Sequence, residues 1–234
     1  MAERVALSAK VSKIVFIRID KIGDLISTLP VDQIPELKDA DKYWVISPGL
    51  KFLIEKSVAH YKEEAHREMF ADSSRPSRVL EIDSTDRKKA KSQLLNFLQE
   101  VKPDAVVSFY SPWWVGQTCF QAGIPLRVTR YSQWHSYLFF NSGIRQKRTL
   151  AEKHEADYNL ELVLKALGQY SESAPPRRAP VLELKVGIRR NLFEKFQVSP
   201  LHYVVVHPGM AGSALNWPQS KYNQLIEKLI TKTT

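Results

Sequence analysis

The chain has 234 residues, of which 44% are hydrophobic and 25% are charged, and its formal net charge is +9. This composition is typical of a folded globular protein and excludes a largely disordered one. The single cysteine, Cys119, excludes an intramolecular disulfide and a cysteine-built metal site, and it favours the reducing cytoplasm. No apolar core of signal-peptide length lies between Met1 and Lys13, so we expect no cleaved export signal.

Apolar runs and helical patterns alternate along the first part of the chain. The apolar or β-branched runs predict strands at Lys13–Ile19, Tyr43–Ser47, Val79–Ile82, Ala105–Tyr110 and Leu126–Val128. Apolar stripes at helical spacing predict helices at Asp86–Val101 and Asp157–Leu167, the second closed by Gly168. The alternation predicts an α/β domain built on a parallel sheet. The uncharged run Ala105–Leu126 contains prolines and glycines, so we interpret it as a buried strand, a loop and a short helix rather than a membrane span.

The composition changes between residues 169 and 180, where serines, prolines and arginines predict an interdomain linker. Residues 1–168 then form an N-terminal domain, and residues 181–234 begin a second one. The second pattern comprises an apolar stretch at Val181–Leu184, a helical segment to Phe196, a strand at Tyr203–Val206, a glycine loop and an amphipathic helix through Ile230. A doubly wound domain usually needs on the order of 100 residues or more, so we expect the second domain to be incomplete in this sequence.

The segment from Lys13 to Pro30 combines a buried strand, a turn at Gly23 and an apolar helix. Ligands of open α/β sheets bind beyond the carboxyl ends of the strands, so Asp20, Lys21 and Asp24 are candidates for substrate contact. Asp24 has two interpretations. Its carboxylate can cap the helix, or it can take a proton from an acceptor hydroxyl that attacks the anomeric carbon of a sugar. Spacing alone favours the cap.

A glycine loop follows the strand predicted at Tyr203–Val206. Gly209, Gly212 and Ser213, with the helix that follows them, can present backbone amides and a hydroxyl to a diphosphate. The same pattern occurs in plain turns, so this loop is not specific by itself.

Taken together, the two motifs resemble the heptosyltransferase family of bacterial glycosyltransferases, glycosyltransferase family 9. The matching residues are Ile22-Gly23-Asp24 with Pro30, and His207-Pro208-Gly209 with Trp217-Pro218; Ala122–Arg127 and His154 ahead of the Leu160–Gly168 helix are also similar. The resemblance implies an α/β fold of the GT-B type, with two Rossmann-like domains that face a cleft. It further implies inverting, metal-independent transfer of a heptose or related sugar from an ADP-sugar onto lipopolysaccharide core.

The resemblance also implies roles for individual residues. Asp24 becomes the general base, and the residues that contact substrate beside it become Asp20, Lys21 and Gly23. The nucleotide sugar would be held by His207, Gly209, Gly212 and Ser213. Because the ADP-sugar is a co-substrate, no cofactor and no metal are expected.

Two departures from the family pattern qualify these roles. Leu215 stands where many members carry a lysine, and the later donor-binding segment of the family is expected beyond Thr234. The alternative is therefore an inactive, truncated remnant or a carbohydrate- or nucleotide-binding fragment.

Basic and aromatic residues are densest between Gln121 and Lys153, where Glu152 is the single acid. The stretch is either a partly buried helix with solvated charges or a surface for a phosphorylated or membrane-borne acceptor. An acidic lipid acceptor would suit the second, with peripheral contact at the anionic cytoplasmic face of the inner membrane. No nucleic-acid-binding motif accompanies the charge, and the six histidines show no metal-ligand spacing, so neither a nucleic acid nor a metal is expected as a partner.

Overall fold

The computed structural model describes residues 11–58, 79–175, 177–180, 192–208 and 216–233. The chain divides into two compact units, Met1–Glu183 and Leu184–Thr234. The first unit is built on a six-stranded parallel sheet in the order β3-β2-β1-β4-β5-β6. Its strands are β1 (Lys13–Arg18), β2 (Asp41–Ile46), β3 (Val79–Glu81), β4 (Ala105–Ser108), β5 (Leu126–Arg130) and β6 (Ser142–Ile144).

The strand order reverses between β1 and β4, as in the doubly wound sheets that bind ligands at this switch point. All the strands predicted in this unit are present, so the predicted parallel α/β sheet is confirmed. The sixth strand was not predicted. It has three residues with Gly143 at its centre, which leaves no apolar run for a sequence pattern to detect.

Helices cover both faces of the sheet. They are α1 (Ile22–Thr28), α2 (Lys51–Val58), α3 (Arg87–Val101), α4 (Trp113–Gln121), α5 (Trp134–Phe139) and α6 (Glu155–Ala166). The helices predicted at Asp86–Val101 and Asp157–Leu167 correspond to α3 and α6. Asp86 caps α3 by accepting a hydrogen bond from the backbone amide of Lys89 at 3.1 Å. Gly168, predicted to close the second helix, follows α6 with a φ of +70°.

Successive side chains of β1 enter two different cores. Ile14 and Phe16 pack with residues of α1, α2 and α6 on one face, whereas Val15 and Ile17 pack with α3 and α4 on the other. Because both faces are covered, the strand is apolar from Ile14 to Ile17, directly before Arg18, its last residue. That charge therefore stands at the carboxyl edge of the sheet.

The uncharged run Ala105–Leu126 forms β4, a loop and α4, as interpreted. Within the ranges that the structure describes, no helix is long and apolar enough to cross a membrane.

The stretch Gln121–Lys153 is not one partly buried helix, so that interpretation was wrong. It contains β5, α5, β6 and a 3₁₀ turn at Arg148–Leu150. Arg127 is engaged internally, donating to the carbonyls of Phe139 at 2.7 Å and of Ile124. The charges of this stretch are thus divided between structural contacts and solvent.

The segment 169–180 lies within the first unit and contacts two other parts of it. The backbone amide of Ala179 donates to Asp157 Oδ1 at 2.8 Å, and the Arg177 guanidinium forms a bidentate pair with Glu36. Both contacts hold the segment against the rest of the first unit, which ends at residue 183.

The second unit contains α7 (Gln219–Thr233), which confirms the predicted amphipathic helix, and residues 192–196 are helical. The strand predicted at Tyr203–Val206 was wrong. These residues form no strand, and Val205 is 77% exposed. A strand needs a hydrogen-bonded neighbour, and none is paired with this segment within the described residues. The apolar stretch predicted at Val181–Leu184 lies outside the described residues.

Candidate active site

Asp24 lies in the first turn of α1, not in a turn before it. The helix begins at Ile22 with Lys21 in the capping position, so the predicted turn at Gly23 and the interpretation of Asp24 as the helix cap were both wrong. The helix starts earlier because the amide of Leu25 already donates to the carbonyl of Lys21 at 3.0 Å. An acidic side chain in this first turn interacts favourably with the helix dipole.

Arg18 joins the two candidate aspartates. Its Nη2 lies 3.0 Å from Asp24 Oδ1 and its Nε lies 2.9 Å from Asp20 Oδ1. The Arg18 side chain is 4% exposed, that of Asp20 16% and that of Asp24 38%. A buried guanidinium requires such partners, because an uncompensated charge in the protein interior is strongly unfavourable. Asp24 is thus the carboxylate of the pair that faces solvent.

A second arginine and a third carboxylate extend this cluster. Glu155, the first residue of α6, has its Oε1 3.8 Å from Arg18 Nη2 and is ion-paired with Arg148 Nη1. Burial lowers the pKa of Arg148 to about 10, against the opposing effect of Glu155. The cluster therefore combines charged groups from β1, the β1–α1 connection, α1, α6 and the loop before α6.

Hydrogen bonds fix the loop that carries Arg148. Arg148 donates to Gln146 Oε1 at 3.0 Å from Nε and at 2.7 Å from Nη2, and Gln146 Nε2 donates to the carbonyl of Tyr158 at 2.7 Å. Asn159 of α6 donates to Thr28 Oγ1 at 3.0 Å, which ties α6 to α1. The charged cluster is consequently preorganised by its neighbours rather than assembled from loose side chains.

Asp20 and Asp24 are in different electrostatic environments. Burial raises the pKa of Asp20 to about 6, opposed by Arg18 and reinforced by Asp24. Although Asp20 Oδ1 is close to Arg18 Nε, the two atoms are buried without hydrogen-bond geometry between them. Of the two aspartates, Asp24 has the more exposed side chain and is therefore the more accessible to a substrate hydroxyl.

The structure brings together only part of the predicted site. Asp20 and Asp24 meet at Arg18, while Lys21 and Gly23 are exposed at the start of α1. A Cβ atom at Gly23 would meet no atom within 4 Å, so packing does not require glycine there. In the second unit, His207 is exposed. The remaining predicted donor residues, Gly209, Gly212 and Ser213, lie outside the described residues.

Sequence reasoning missed Arg18, Glu155 and Arg148. Arg18 had a detectable signal, because a charged residue that directly follows the apolar run Ile14–Ile17 of a doubly covered strand needs a partner or a ligand. Glu155 and Arg148 had none. They reach the site because β6 and α6 lie at one edge of the sheet, which no local pattern reveals.

The described residues offer neither a cluster of metal ligands nor a reactive thiol. Among the residues that the structure describes, no three of the His, Cys, Asp and Glu side chains are grouped so as to hold a metal ion. Burial raises the pKa of the Cys119 thiol to about 12, so this side chain is a packing group of α4 and not a nucleophile.

The fold is that of the GT-B heptosyltransferases. Escherichia coli ADP-heptose LPS heptosyltransferase II superposes with a TM-score of 0.60 at 17% identity, covering 94% of this chain and 62% of that one. Escherichia coli heptosyltransferase WaaC, solved with ADP-2-deoxy-2-fluoro heptose, gives 0.60 at 18% identity, covering 93% and 65%. A glycosyl transferase family 9 structure from Veillonella parvula gives 0.58 at 16% identity, covering 93% and 60%.

One sequence relative agrees with this fold. A Haemophilus influenzae protein described as "Putative glycosyltransferase" is 30% identical over 162 residues, which are 64% of this chain and 45% of that protein. No family model matches the chain. The chain thus spans less than half the length of this curated relative, and between 60% and 65% of the three solved structures. This agrees with the expected partial second domain.

Proposed function

We propose that the chain is the acceptor domain and the start of the donor domain of an inverting glycosyltransferase, which moves a heptose or related sugar from an ADP-sugar onto lipopolysaccharide core. One observation carries the proposal. A solvent-facing carboxylate, Asp24, is held by a buried arginine, Arg18, at the carboxyl edge of a parallel sheet with the heptosyltransferase fold.

Asp24 is the general base of the proposed reaction. Its carboxylate removes the proton of an acceptor hydroxyl while that oxygen bonds to the anomeric carbon of the donor sugar. The bond between the anomeric carbon and the diphosphate breaks on the opposite face, and its electron pair leaves with ADP. Attack opposite to the leaving group inverts the anomeric configuration. The proposed reaction uses neither a metal nor a further cofactor.

Arg18 is the positioning residue of this base. Its contact with Asp24 Oδ1 at 3.0 Å restricts the rotation of the carboxylate, and its burial strengthens the attraction. No contact among the described residues engages Asp24 Oδ2, which is left to accept the proton.

The donor half of the proposed site lies in the second unit. His207, Gly209, Gly212 and Ser213 would bind the diphosphate of the ADP-sugar through backbone amides and short polar side chains. Leu215 replaces the lysine of many family members, which favours the alternative of a chain that binds a nucleotide or carbohydrate without turnover.

Contact with an anionic membrane would bring the enzyme to a lipid-linked acceptor. Support comes from a basic-aromatic surface, defined as Trp134, Tyr137 and Leu138 of α5 with Arg145 and Lys147 of the loop beyond β6. Trp134 is 71% exposed, and the other four side chains are exposed as well. Exposed aromatic residues and exposed cations both suit the interface of an anionic bilayer. We propose the cytoplasmic face of the inner membrane as the location.

The test is direct. The full-length protein is incubated with ADP-heptose and a lipopolysaccharide core acceptor, and the product is examined by mass spectrometry and by NMR of the new anomeric centre. We expect a mass increase of one heptose and the anomeric configuration opposite to that of the donor. Binding of ADP-heptose without product would instead support the non-catalytic alternative.

A further inference from the structure

Two fully buried polar side chains meet in the apolar interface between α1 and α6. Asn159 Nδ2 donates to Thr28 Oγ1 at 3.0 Å, and neither residue is exposed to solvent. Their neighbours in sequence, Leu29 and Leu160, belong to the same apolar core. Replacing both partners of a buried hydrogen bond by apolar groups of the same shape is often neutral or even stabilising. Packing alone therefore does not account for this pair.

The pair belongs to a longer chain of hydrogen bonds that ends at the main chain of Asp24. Arg148 Nη2 donates to Asn159 Oδ1 at 3.3 Å, and Thr28 Oγ1 donates to the carbonyl oxygen of Asp24 at 2.7 Å. A threonine hydroxyl often bonds the carbonyl one turn earlier in its own helix, and that bond alone would carry no inference. Here the donors run in one direction from the guanidinium to the carbonyl, and hydrogen bonds aligned in this way strengthen one another.

The two ends of this chain determine the side chain that can stand at position 159. Arg148 has only donors, so it must face the amide oxygen of Asn159. The Thr28 hydroxyl gives its proton to the Asp24 carbonyl, so its oxygen must accept from the amide nitrogen. Asparagine supplies both groups. An ionised aspartate of the same length lacks the donor, and leucine lacks both the donor and the acceptor.

Arg148 and Asp24 are joined a second time through their charged groups. Arg148 is ion-paired with Glu155, whose Oε1 lies 3.8 Å from Arg18 Nη2. Arg18 Nη2 in turn lies 3.0 Å from Asp24 Oδ1. Glu155 and Asn159 are one helical turn apart, so one face of α6 serves both routes. The contacts form a closed ring that holds the carboxylate of Asp24 on one side and its carbonyl on the other.

The first turn of α1 depends on such tertiary contacts. The helix has seven residues, and its capping residue, Lys21, makes no side-chain hydrogen bond to it. A helix this short is marginal by itself. Arg18 restrains the Asp24 carboxylate, but the direction of a side chain also depends on the backbone from which it projects. The contact of Asn159 with Thr28 restrains that backbone.

We propose that Asn159 is a positioning residue of the general base. By joining Arg148 to Thr28 it fixes the first turn of α1, and with it the direction of the Asp24 carboxylate. Its effect on catalysis rests on the proposed glycosyl transfer, in which Asp24 is the base. The fixing of the helical turn does not, and it is measurable without any turnover.

Steady-state kinetics of the full-length protein with ADP-heptose and a lipopolysaccharide core acceptor test the effect on catalysis. Asn159→Asp keeps the size of the side chain and an oxygen for Arg148, but its ionised form loses the donor to Thr28. We expect kcat to fall on the order of tenfold, the effect of one hydrogen bond, with the KM of both substrates unchanged. Thr28→Val is expected to cause the same loss, whereas Thr28→Ser, which keeps the hydroxyl, recovers most of the rate.

Val163→Ala is the matched control for stability. Val163 is a buried apolar residue of α6, so its truncation weakens the packing of the same helix without removing a group of the ring. At temperatures well below its unfolding, this variant is expected to keep the wild-type kcat. The double variant of Asn159→Asp and Thr28→Val is expected to lose no more rate than either single variant, because both break the same chain of hydrogen bonds.

Hydrogen exchange in the 234-residue chain tests the fixing of the turn without catalysis. The amide of Leu25, which donates to the carbonyl of Lys21 at 3.0 Å, reports the opening of the first turn of α1. The amides of β4 serve as the reference for global unfolding. Relative to this reference, we expect Asn159→Asp to raise the exchange rate of Leu25 on the order of tenfold and Val163→Ala to leave it unchanged.

Wild-type kcat in both Asn159→Asp and Thr28→Val would overturn the positioning role. Equal losses in these variants and in Val163→Ala would overturn it as well, because stability alone would then explain them. Absence of transfer by the wild type contradicts the proposed function, and the exchange rate of Leu25 then decides whether Asn159 fixes the turn. Transfer that depends on Asp24 but not on Asn159 leaves the function standing and contradicts this inference.

Discussion

The buried guanidinium of Arg18 lies 3.0 Å from the solvent-facing carboxylate of Asp24, and this contact connects the last residue of β1 to the first turn of α1. Neither Arg18 nor Asp24 is the capping residue of α1, which is Lys21. The contact depends on a strand whose apolar residues Ile14–Ile17 lead directly to Arg18, and on a helix that begins within four residues of Arg18.

Substituting Arg18 tests whether it positions the base. We predict that Arg18→Gln lowers kcat by about 10- to 100-fold with little change in the KM for the nucleotide sugar, because the carboxylate loses its orientation. Arg18→Lys, which retains the charge, is expected to recover part of the rate. In a double-mutant cycle with Asp24→Asn the two losses are expected to be strongly non-additive. Additive losses would show that Arg18 acts only through general stability.

The half-buried Asp20 makes the stability of the chain depend on pH. Its pKa is raised from 3.8 to about 6, so its folded form binds a proton more tightly than its unfolded form. Its stabilising contribution is present at low pH and is lost as the pH rises toward 6 and above. We therefore predict that Asp20→Asn is more favourable at pH 8 than at pH 4.5. The change that it makes in the free energy of unfolding, measured by urea unfolding, should be on the order of 1 to 2 kcal/mol more stabilising at pH 8.

Asp104 provides the matched control for Asp20. Burial opposes its ionisation, but hydrogen bonds from Ser12 and Lys13 outweigh burial and lower its pKa. Its contribution is present above its ordinary pKa and is lost only at more acidic pH. Asp104→Asn should therefore destabilise the chain by a similar amount at pH 4.5 and pH 8. The same pH dependence for both variants would contradict the assignment of Asp20.

A substitution at Gly23 tests whether glycine is needed there for packing or for contact with the substrate. A Cβ atom would meet nothing there, and the residue lies within α1, so Gly23→Ala should stabilise the chain by about 0.5 to 1 kcal/mol. If the backbone at this position approaches the substrate, the same variant raises KM. By contrast, a Cβ at Gly143 would lie 2.5 Å from the carbonyl of Thr129, so Gly143→Ala is predicted to cost about 1 to 3 kcal/mol. Thermal unfolding and steady-state kinetics check both.

The basic-aromatic surface predicts binding to anionic vesicles. Trp134→Ser and Leu138→Ser remove exposed apolar area from α5, and each is expected to weaken binding to phosphatidylglycerol-containing vesicles several-fold in a sedimentation assay. The exposed Phe196 of the second unit serves as the control, since Phe196→Ser leaves the surface intact. Equal loss in all three variants would contradict a membrane role for α5.

Sequence periodicity was sufficient for the sheet of the first unit, because its central strands are covered on both faces and must be apolar. It failed where tertiary pairing decides the structure. Ser142–Ile144 pairs with β5 despite having no apolar run, and Tyr203–Val206 reads as a strand but has no paired neighbour within the described residues. The strand propensity of the residues predicts neither the strand in the first segment nor its absence in the second.

The site was predictable only in part for the same reason. Asp20 and Asp24 follow a buried strand, which places them at the ligand-binding edge of any parallel sheet. Glu155 and Arg148 are more than 100 positions away, and only the packing of α6 against β5, β6 and α1 brings them to that edge. The position of Asp24 inside the helix depended on one hydrogen bond, from Leu25 to Lys21, that the motif does not specify.

The rate of sugar transfer by Asp24→Asn tests the central claim most directly. The full-length variant is compared with the wild type and with Glu100→Gln, an exposed carboxylate near the end of α3, which leads into β4 at the opposite edge of the sheet. We predict that Asp24→Asn lowers kcat by about 10²- to 10⁴-fold while ADP-heptose binding persists, and that Glu100→Gln has the wild-type rate. Undiminished transfer by Asp24→Asn would contradict its role as the base.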